Sequence, residues 1–292
     1  MYWTRWLLIP FVFVNGCSRQ LFPKKISALF EMTRLSKNIL PTTFVIAASA
    51  QPPINYGGFT AATAMVHLLA STSMVVNDIW DLDADRINHP TRPLSRGVIT
   101  RREAAAFAAL LSAAYIYLGV KFIPLAASPI WMLSFLIIHS YTPVLKRICL
   151  IKNLSCATVI SATVPFIALS SGGYVKPFLW VFAHVVFVGA MYKELLMDIM
   201  DGRGDKLTGI TTIPVLCGNR GTVGFISRVL LSSTLYFVVS KPSNAYITLF
   251  YLPLYYRLLE VQKNNYHSQN IKHALKTTTQ VLALVGVLSI CH

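Results

Sequence analysis

Two short acidic runs carry most of the chemistry open to this sequence. The first is Asn77-Asp78-Ile79-Trp80-Asp81-Leu82-Asp83-Ala84-Asp85, and the second is Asp198-Ile199-Met200-Asp201-Gly202-Arg203-Gly204-Asp205. At about 100° per residue, Asp78, Asp81 and Asp85 fall within about 60° of one another on a helix, whereas Asp83 lies about 140° from Asp78. Asp198, Asp201 and Asp205 repeat the same spacing, and Glu194 extends that face by a turn. Facing carboxylate stripes suit hard divalent cations, with Mg²⁺ the usual choice when phosphate supplies the remaining ligands. Such cations neutralise a diphosphate, orient it, and stabilise the charge that builds as it leaves. One stripe arises readily by chance on a solvated helix end. Two matched stripes in a chain with only 11 acidic residues point to a cation site.

Basic residues stand where a diphosphate would need them. Arg92 and Arg96 follow the first run, Arg203 and Lys206 lie within and after the second, and Lys146 follows Tyr141-Thr142-Pro143-Val144-Leu145. Arg34 and Asn38, one turn apart, open the first apolar stretch. Guanidinium binds phosphate bidentately, while lysine acts as a point charge. For any one of them, topology or lipid headgroup contact is the competing reading. Arg92 and Lys146 are the strongest candidates for diphosphate contact. His67, His89, His139 and His184 share no metal-ligand spacing; His139, close to Tyr141, is the one with a possible place at the site. Cys17, Cys149, Cys156, Cys217 and Cys291 contain no C-x-x-C pair and imply neither a zinc site nor a disulfide framework.

The elements that position these groups follow from composition. Hydrophobic residues make up 54% of the 292 residues, charged residues 13%, and mean hydropathy is +0.56. Soluble domains carry nearer a quarter charged residues. The apolar residues gather into about nine stretches, near 38–52, 60–79, 104–120, 122–140, 153–171, 177–197, 222–240, 244–258 and 274–290. Spans of about 20 residues cross a bilayer. Of the alternating connections, one set holds only Lys121, Lys176 and Lys241, and the other 23 of the 26 basic residues lie on the opposite side. That asymmetry places the N-terminus and the basic loops on the cytosol-like face. All 11 acidic residues map to the same face. The net charge of +15 therefore sets topology and attracts anionic ligands or lipids, and a nucleic-acid partner is not expected. The first 30 residues hold no acid and carry Arg5, Arg19, Lys24 and Lys25 around the run Trp6–Val14. They read either as a targeting segment or as an interfacial helix. Gly202 and Gly204 either loosen the second acidic run or cap its helix.

Asn77-Asp78-x-x-Asp81-x-x-x-Asp85 with Asn88-x-Pro90-x-Arg92-Pro93-Leu94 resembles the first motif of the UbiA superfamily of intramembrane prenyltransferases. Asp198-x-x-Asp201-x-x-x-Asp205 with Gly209-x-Thr211-x-x-Pro214 is similar to the second, and the likeness covers most of the chain from about residue 30. The resemblance implies Mg²⁺ and an allylic diphosphate held between the motifs, an isoprenoid tail in an apolar tunnel, and attack by an acceptor on the ionised chain. It implies Asn77, Asp81, Asp85, Asp198, Asp201 and Asp205 as metal and diphosphate ligands. Asp78 is then either a further ligand or a base or hydrogen-bond partner. Tyr141 would stand near the allylic carbon, where its π-face stabilises a cation. Arg96 departs from the small residue common before Gly97, and either adds a phosphate contact or changes the loop.

The expectation is thus an all-α, multi-pass membrane bundle of about nine transmembrane helices with its active mouth on the cytosol-like face. Residues 1–30 form an N-terminal segment and 31–292 the catalytic domain. The expected activity is Mg²⁺-dependent transfer of a polyprenyl group from an allylic diphosphate to a small acceptor, either an aromatic quinone precursor or a glycerol lipid. The alternatives are a UbiA-type terpene cyclase that needs no acceptor and, more remotely, a cation transporter. A transporter needs acids near the bilayer midplane, and here they gather at one face. The membrane could be that of a plastid, a mitochondrion or the endoplasmic reticulum.

Overall fold

The computed structural model describes residues 23–50, 52, 54–207 and 209–291; the side chains at 36–41, 84, 87–88, 203, 207 and 289–291 are outside that description. The expected targeting segment lies largely outside it too. Among the described residues the chain is helical throughout, with no strand. Helix α1 (Lys24–Met32) leads into α2 (Leu35–Ser49), α3 (Tyr56–Trp80) and the short α4 (Leu82–Asn88). Then follow α5 (Arg101–Phe122), α6 (Ser128–Tyr141), α7 (Ile151–Gly172), α8 (Pro177–Leu207) and α9 (Ile213–Leu235). A wide turn at Tyr236–Ser240 and a tight helical stretch at Pro242–Tyr251 connect to α10 (Leu252–Lys263) and α11 (Ser268–Cys291).

Local chemistry explains several boundaries. Thr100 and Glu103 form a reciprocal capping box, with Thr100 Oγ1 accepting from the Glu103 amide at 3.2 Å and Glu103 Oε2 accepting from the Thr100 amide at 2.8 Å, and this starts α5. Asn55 Oδ1 accepts from the Gly58 amide and starts α3. Gly173, at φ 75°, ends α7.

Five segments are long and apolar enough to cross a membrane: α3, α5, α7, the first 26 residues of α8, and α9 with its extension to Ser240. Leu125–Tyr141 is a shorter apolar helix. Among the described residues the nine stretches expected from hydropathy fall largely on helical backbone, and by length and composition five of them qualify as spans. The eighth stretch differs most, since Pro242 and Pro253 flank a tight turn of helix rather than one continuous span.

Helix α8 is the hub, packing against α7, α9 and α11 and contributing Phe182, Tyr192, Leu195 and Leu196 to the largest apolar cluster. A second cluster joins α3, α5, α6 and α7, and a third binds α1 to α3 and to the loop at Leu94 and Ile99. The expected domain start near residue 30 falls inside α1, whose Ala28 and Met32 are buried in that third cluster. Large apolar side chains face outward from the same helices, among them Leu110, Val120, Leu136, Leu231, Val239 and Leu259. In water such a surface would be an aggregation liability, and in a bilayer it is solvated by lipid.

Close backbone approach sets where α3 meets α7. The Asn55 amide donates to Ser171 O at 2.7 Å, and a Cβ at Gly58 would sit 2.2 Å from Ser170 O. Gly58→Ala is therefore expected to lower the thermal unfolding temperature in detergent by several degrees. Gly224→Ala, in open space on α9, should leave it unchanged or raise it slightly. Equal behaviour of the two variants would refute the close-packed α3–α7 seam.

Candidate active site

The first acidic run is jointed. Helix α3 stops at Trp80 and α4 starts at Leu82, with Asp81 as the residue between them at φ −90°, ψ 8°. The amide bonds Asp81 N→Asn77 O (2.9 Å) and Asp85 N→Asp81 O (2.8 Å) carry the helical register across the break. Asp78 and Asp85 are thus buried on one side, while the Asp83 side chain is 86% exposed and pairs with Arg86 on the surface. The regular helix assumed from spacing is corrected at Asp81, yet the separation of Asp83 from the other acids survives, because the break costs no residue of register.

Each buried or half-buried acid of this run meets a cation from another element. Arg34 and Arg92 both pair with Asp78, Arg92 also with Asp85, and Lys146 with Asp81 at 2.5 Å. Lys146 Nζ also stands 3.5 Å from Asn77 Oδ1. Arg34 occupies the break between α1 and α2 in a left-handed conformation, φ 50°, a cost the surrounding structure sustains in order to aim the guanidinium at Asp78. Removing one partner would leave a buried charge uncompensated.

The second run continues α8 without interruption to Leu207. Helix α8 has 31 residues, a length of about 46 Å at 1.5 Å per residue, so its last turns lie beyond a hydrocarbon core of about 30 Å. Gly202 and Gly204 neither loosen nor cap it; the turn comes at Gly209, φ 71°. Asp198 is buried, and both its oxygens are held by consecutive residues that open α7. Lys152 Nζ lies 2.7 Å from Oδ1, and Asn153 Nδ2 donates to Oδ2 at 2.9 Å. Sequence reasoning missed this pair; its signal was a polar Lys-Asn step at the start of an apolar span. Burial raises the Asp205 carboxyl above its ordinary range, the Lys152 charge opposes this, and Asp198 and Asp201 reinforce it.

The two runs face one another. Lys146, bound to Asp81, also interacts electrostatically with Asp201, as does His89. Tyr141 reaches toward the second run rather than the first, sharing a hydrogen bond with Cys156 and lying near Glu194 and Asp198. His139 instead packs: its Nε2 lies 3.0 Å from Ser112 Oγ, and its ring sits tilted against Phe135 with centroids 3.9 Å apart. Arg96 pairs with Glu31 at 3.0 Å on the surface, which gives it a loop-fixing contact. Lys206 is exposed at the end of α8. The side chains of Asn38 and Arg203 lie outside the described residues. A cavity of about 580 Å³ lined by Trp180, His184, Phe187, Tyr236 and Lys241 lies toward the other end of α8.

Among the described residues, no three His, Cys, Asp or Glu side chains are gathered tightly enough to hold one ion. The physical reason is the basic side chains: Lys146, Arg92, Arg34 and Lys152 stand on the carboxylates in a cation's electrostatic place. The donor set itself is all oxygen, from Asp carboxylates and Asn amides, which fits Mg²⁺ and is a poor match for zinc or copper.

A model of the UbiA prenyltransferase family matches residues 38–284. The chain belongs to the UbiA prenyltransferase family. This bears out the family and enzyme class expected from the acidic motifs. A digeranylgeranylglyceryl phosphate synthase of Natronomonas pharaonis is 28% identical over 61% of this chain and 68% of its own length. A synthase of the same name from Sulfolobus acidocaldarius is 28% identical over 57% of this chain and 60% of its own length. The alignments therefore span roughly two thirds of these relatives. Both are archaeal, and they lend no support to placement in a plastid, mitochondrion or endoplasmic reticulum. A UbiA homologue from Archaeoglobus fulgidus, solved bound to GPP and Mg²⁺, matches with a TM-score of 0.70 at 14% identity. The match covers 91% of this chain and all of that one, a likeness of fold.

Within this UbiA chain, the exposed and half-buried acids of one motif should separate cleanly. Asp81→Ala is expected to lower turnover by at least about a hundredfold, the scale for losing a group that stabilises transition-state charge. Asp83→Ala removes only a surface pair worth a few tenths of a kcal/mol, and its turnover should stay near wild type. Diphosphate release from a labelled prenyl donor measures both, and equal loss at Asp83 would overturn the assignment.

Proposed function

We propose that the protein transfers a geranylgeranyl chain from its diphosphate to a glycerol-phosphate lipid acceptor, with Mg²⁺ held between the two acidic motifs at the cytosol-like end of the bundle. The observation that carries the reading is the pairing of four basic side chains with the acids of two facing motifs. Its acceptor class is supported by the digeranylgeranylglyceryl phosphate synthases the chain is similar to. Its donor and metal are supported by the fold it shares with a homologue bound to GPP and Mg²⁺.

Asn77, Asp81 and Asp85 on one wall, and Asp198, Asp201 and Asp205 on the other, would hold the metal. Bound there, Mg²⁺ neutralises the diphosphate and lowers the barrier to its departure. Lys146, freed from Asp81, turns to the diphosphate oxygens, and Arg92 and Arg34, still anchored on Asp78, offer their remaining N–H groups. The two guanidiniums bind in bidentate fashion and the lysine as a point charge. Asp78, 2% exposed and touched by both Arg34 and Arg92, acts as the partner that orients those guanidiniums. Asn38, Arg203 and Lys206 remain candidates for further diphosphate contact. Tyr141 presents its ring to the allylic carbon as the C–O bond to the diphosphate breaks. The acceptor hydroxyl then forms the new ether bond and loses its proton at the acid-lined mouth. The outward apolar surface holds the enzyme in the bilayer, where donor and acceptor both dissolve.

The test uses full-length protein in nanodiscs with Mg²⁺ and labelled geranylgeranyl diphosphate. Geranylgeranylglyceryl phosphate, homogentisate and 4-hydroxybenzoate are offered separately. Label should enter a lipid ether only with the glycerol phosphate, and chelation with EDTA should stop it. Transfer to an aromatic would move the acceptor assignment. Hydrocarbon or alcohol formed without any acceptor would favour the cyclase.

A further inference from the structure

Asn153 carries a polar atom that the site as described leaves unused. Its side chain is 1% exposed. The amide nitrogen donates to Asp198, but Oδ1 has no hydrogen-bond partner among the described residues. Buried polar atoms are almost always satisfied, by protein, water or a bound ion. An unpaired carbonyl oxygen beside the second acidic motif therefore asks for a partner with positive charge or a proton to give.

The two motifs differ in one respect that bears on this. The first opens Asn77-Asp78, and Lys146 already places a cationic nitrogen 3.5 Å from the Asn77 amide oxygen. The second opens Met197-Asp198, so its own helix supplies no amide oxygen at the matching position. Asn153 comes from α7 instead, and its bond to Asp198 Oδ2, with Lys152 on Oδ1, fixes it against the second motif.

We propose that Asn153 Oδ1 is an oxygen ligand of the cation held by Asp198, Asp201 and Asp205, supplied across the helix–helix interface in the place that Asn77 fills in the first motif. A neutral donor completes the coordination of a hard cation without adding to the negative charge of Glu194, Asp198, Asp201 and Asp205. The site then stays weak until the diphosphate brings its own oxygens. The inference rests on the metal-dependent reading given under Proposed function.

The test counts bound metal without catalysis. Full-length protein in nanodiscs is titrated with Mn²⁺ in the presence of inorganic pyrophosphate, and free Mn²⁺ is followed by electron paramagnetic resonance. D201N marks the ions that depend on the second motif, and D81N those that depend on the first. N153A should weaken the class lost in D201N by about tenfold or more, and should spare the class lost in D81N. N153D retains an oxygen ligand but cannot donate to Asp198, so it should bind Mn²⁺ at least as well as wild type. An N153A isotherm that overlays wild type would overturn the inference. So would N153D binding as poorly as N153A, since the amide would then serve only as a hydrogen-bond donor. Wild-type protein that binds no Mn²⁺ would overturn the metal-dependent reading itself, and this ligand assignment with it.

Discussion

Placing carboxylates at the end of a membrane bundle is costly unless each finds a counter-charge. That single constraint organises the active end of this protein. Asp78 draws in Arg34 from the break after α1 and Arg92 from the loop after α4, while Asp81 draws in Lys146 from the link between α6 and α7. Asp198 draws in Lys152 from α7. Segments far apart in the chain are thus tied together by the same charges that would receive a diphosphate. The hydrophobic clusters of α3, α7 and α8 supply the frame, but electrostatic pairing decides how its mouth is laced.

The acids also explain where part of the basic charge of this chain is spent. Basic residues near the mouth are held in ion pairs with specific carboxylates, and others, such as Arg96 with Glu31, fasten surface loops. Their charge is local and directed. In the proposed reaction a basic side chain that left one of these pairs would expose one anion and free one phosphate-binding group, which would couple metal and diphosphate affinities through the same contacts.

Much of this was legible in the sequence because it depends on short-range spacing and on hydropathy. The i, i+3, i+7 acids, the odd position of Asp83 and the helical path of the chain all follow from helix geometry. The Asp81 joint was not legible, since a chain can change helices there while every amide bond keeps its i+4 partner. Lys152 and Asn153 escaped notice because their meaning lies in a contact with Asp198, 45 positions away. His139 drew attention by standing near Tyr141 in sequence, yet a helix turns neighbours to different faces, and its ring packs on Phe135. The break at the eighth apolar stretch was not legible, because a hydropathy window averages over the tight helical turn that Pro242 and Pro253 flank.

The two walls of the mouth differ mechanically. Helix α8 runs through 31 residues with Asp198, Asp201 and Asp205 on its last turns, so its acids are fixed to the core of the bundle like marks on a rod. Asp85 sits on a seven-residue helix hinged at Asp81, followed by the Arg92 loop. The acids on α8 thus share one continuous helix, whereas Asp85 is joined to the core through a break and held by its ion pair with Arg92. The two walls are unequal by construction: one is a continuous rod, the other a short helix pinned by ion pairs.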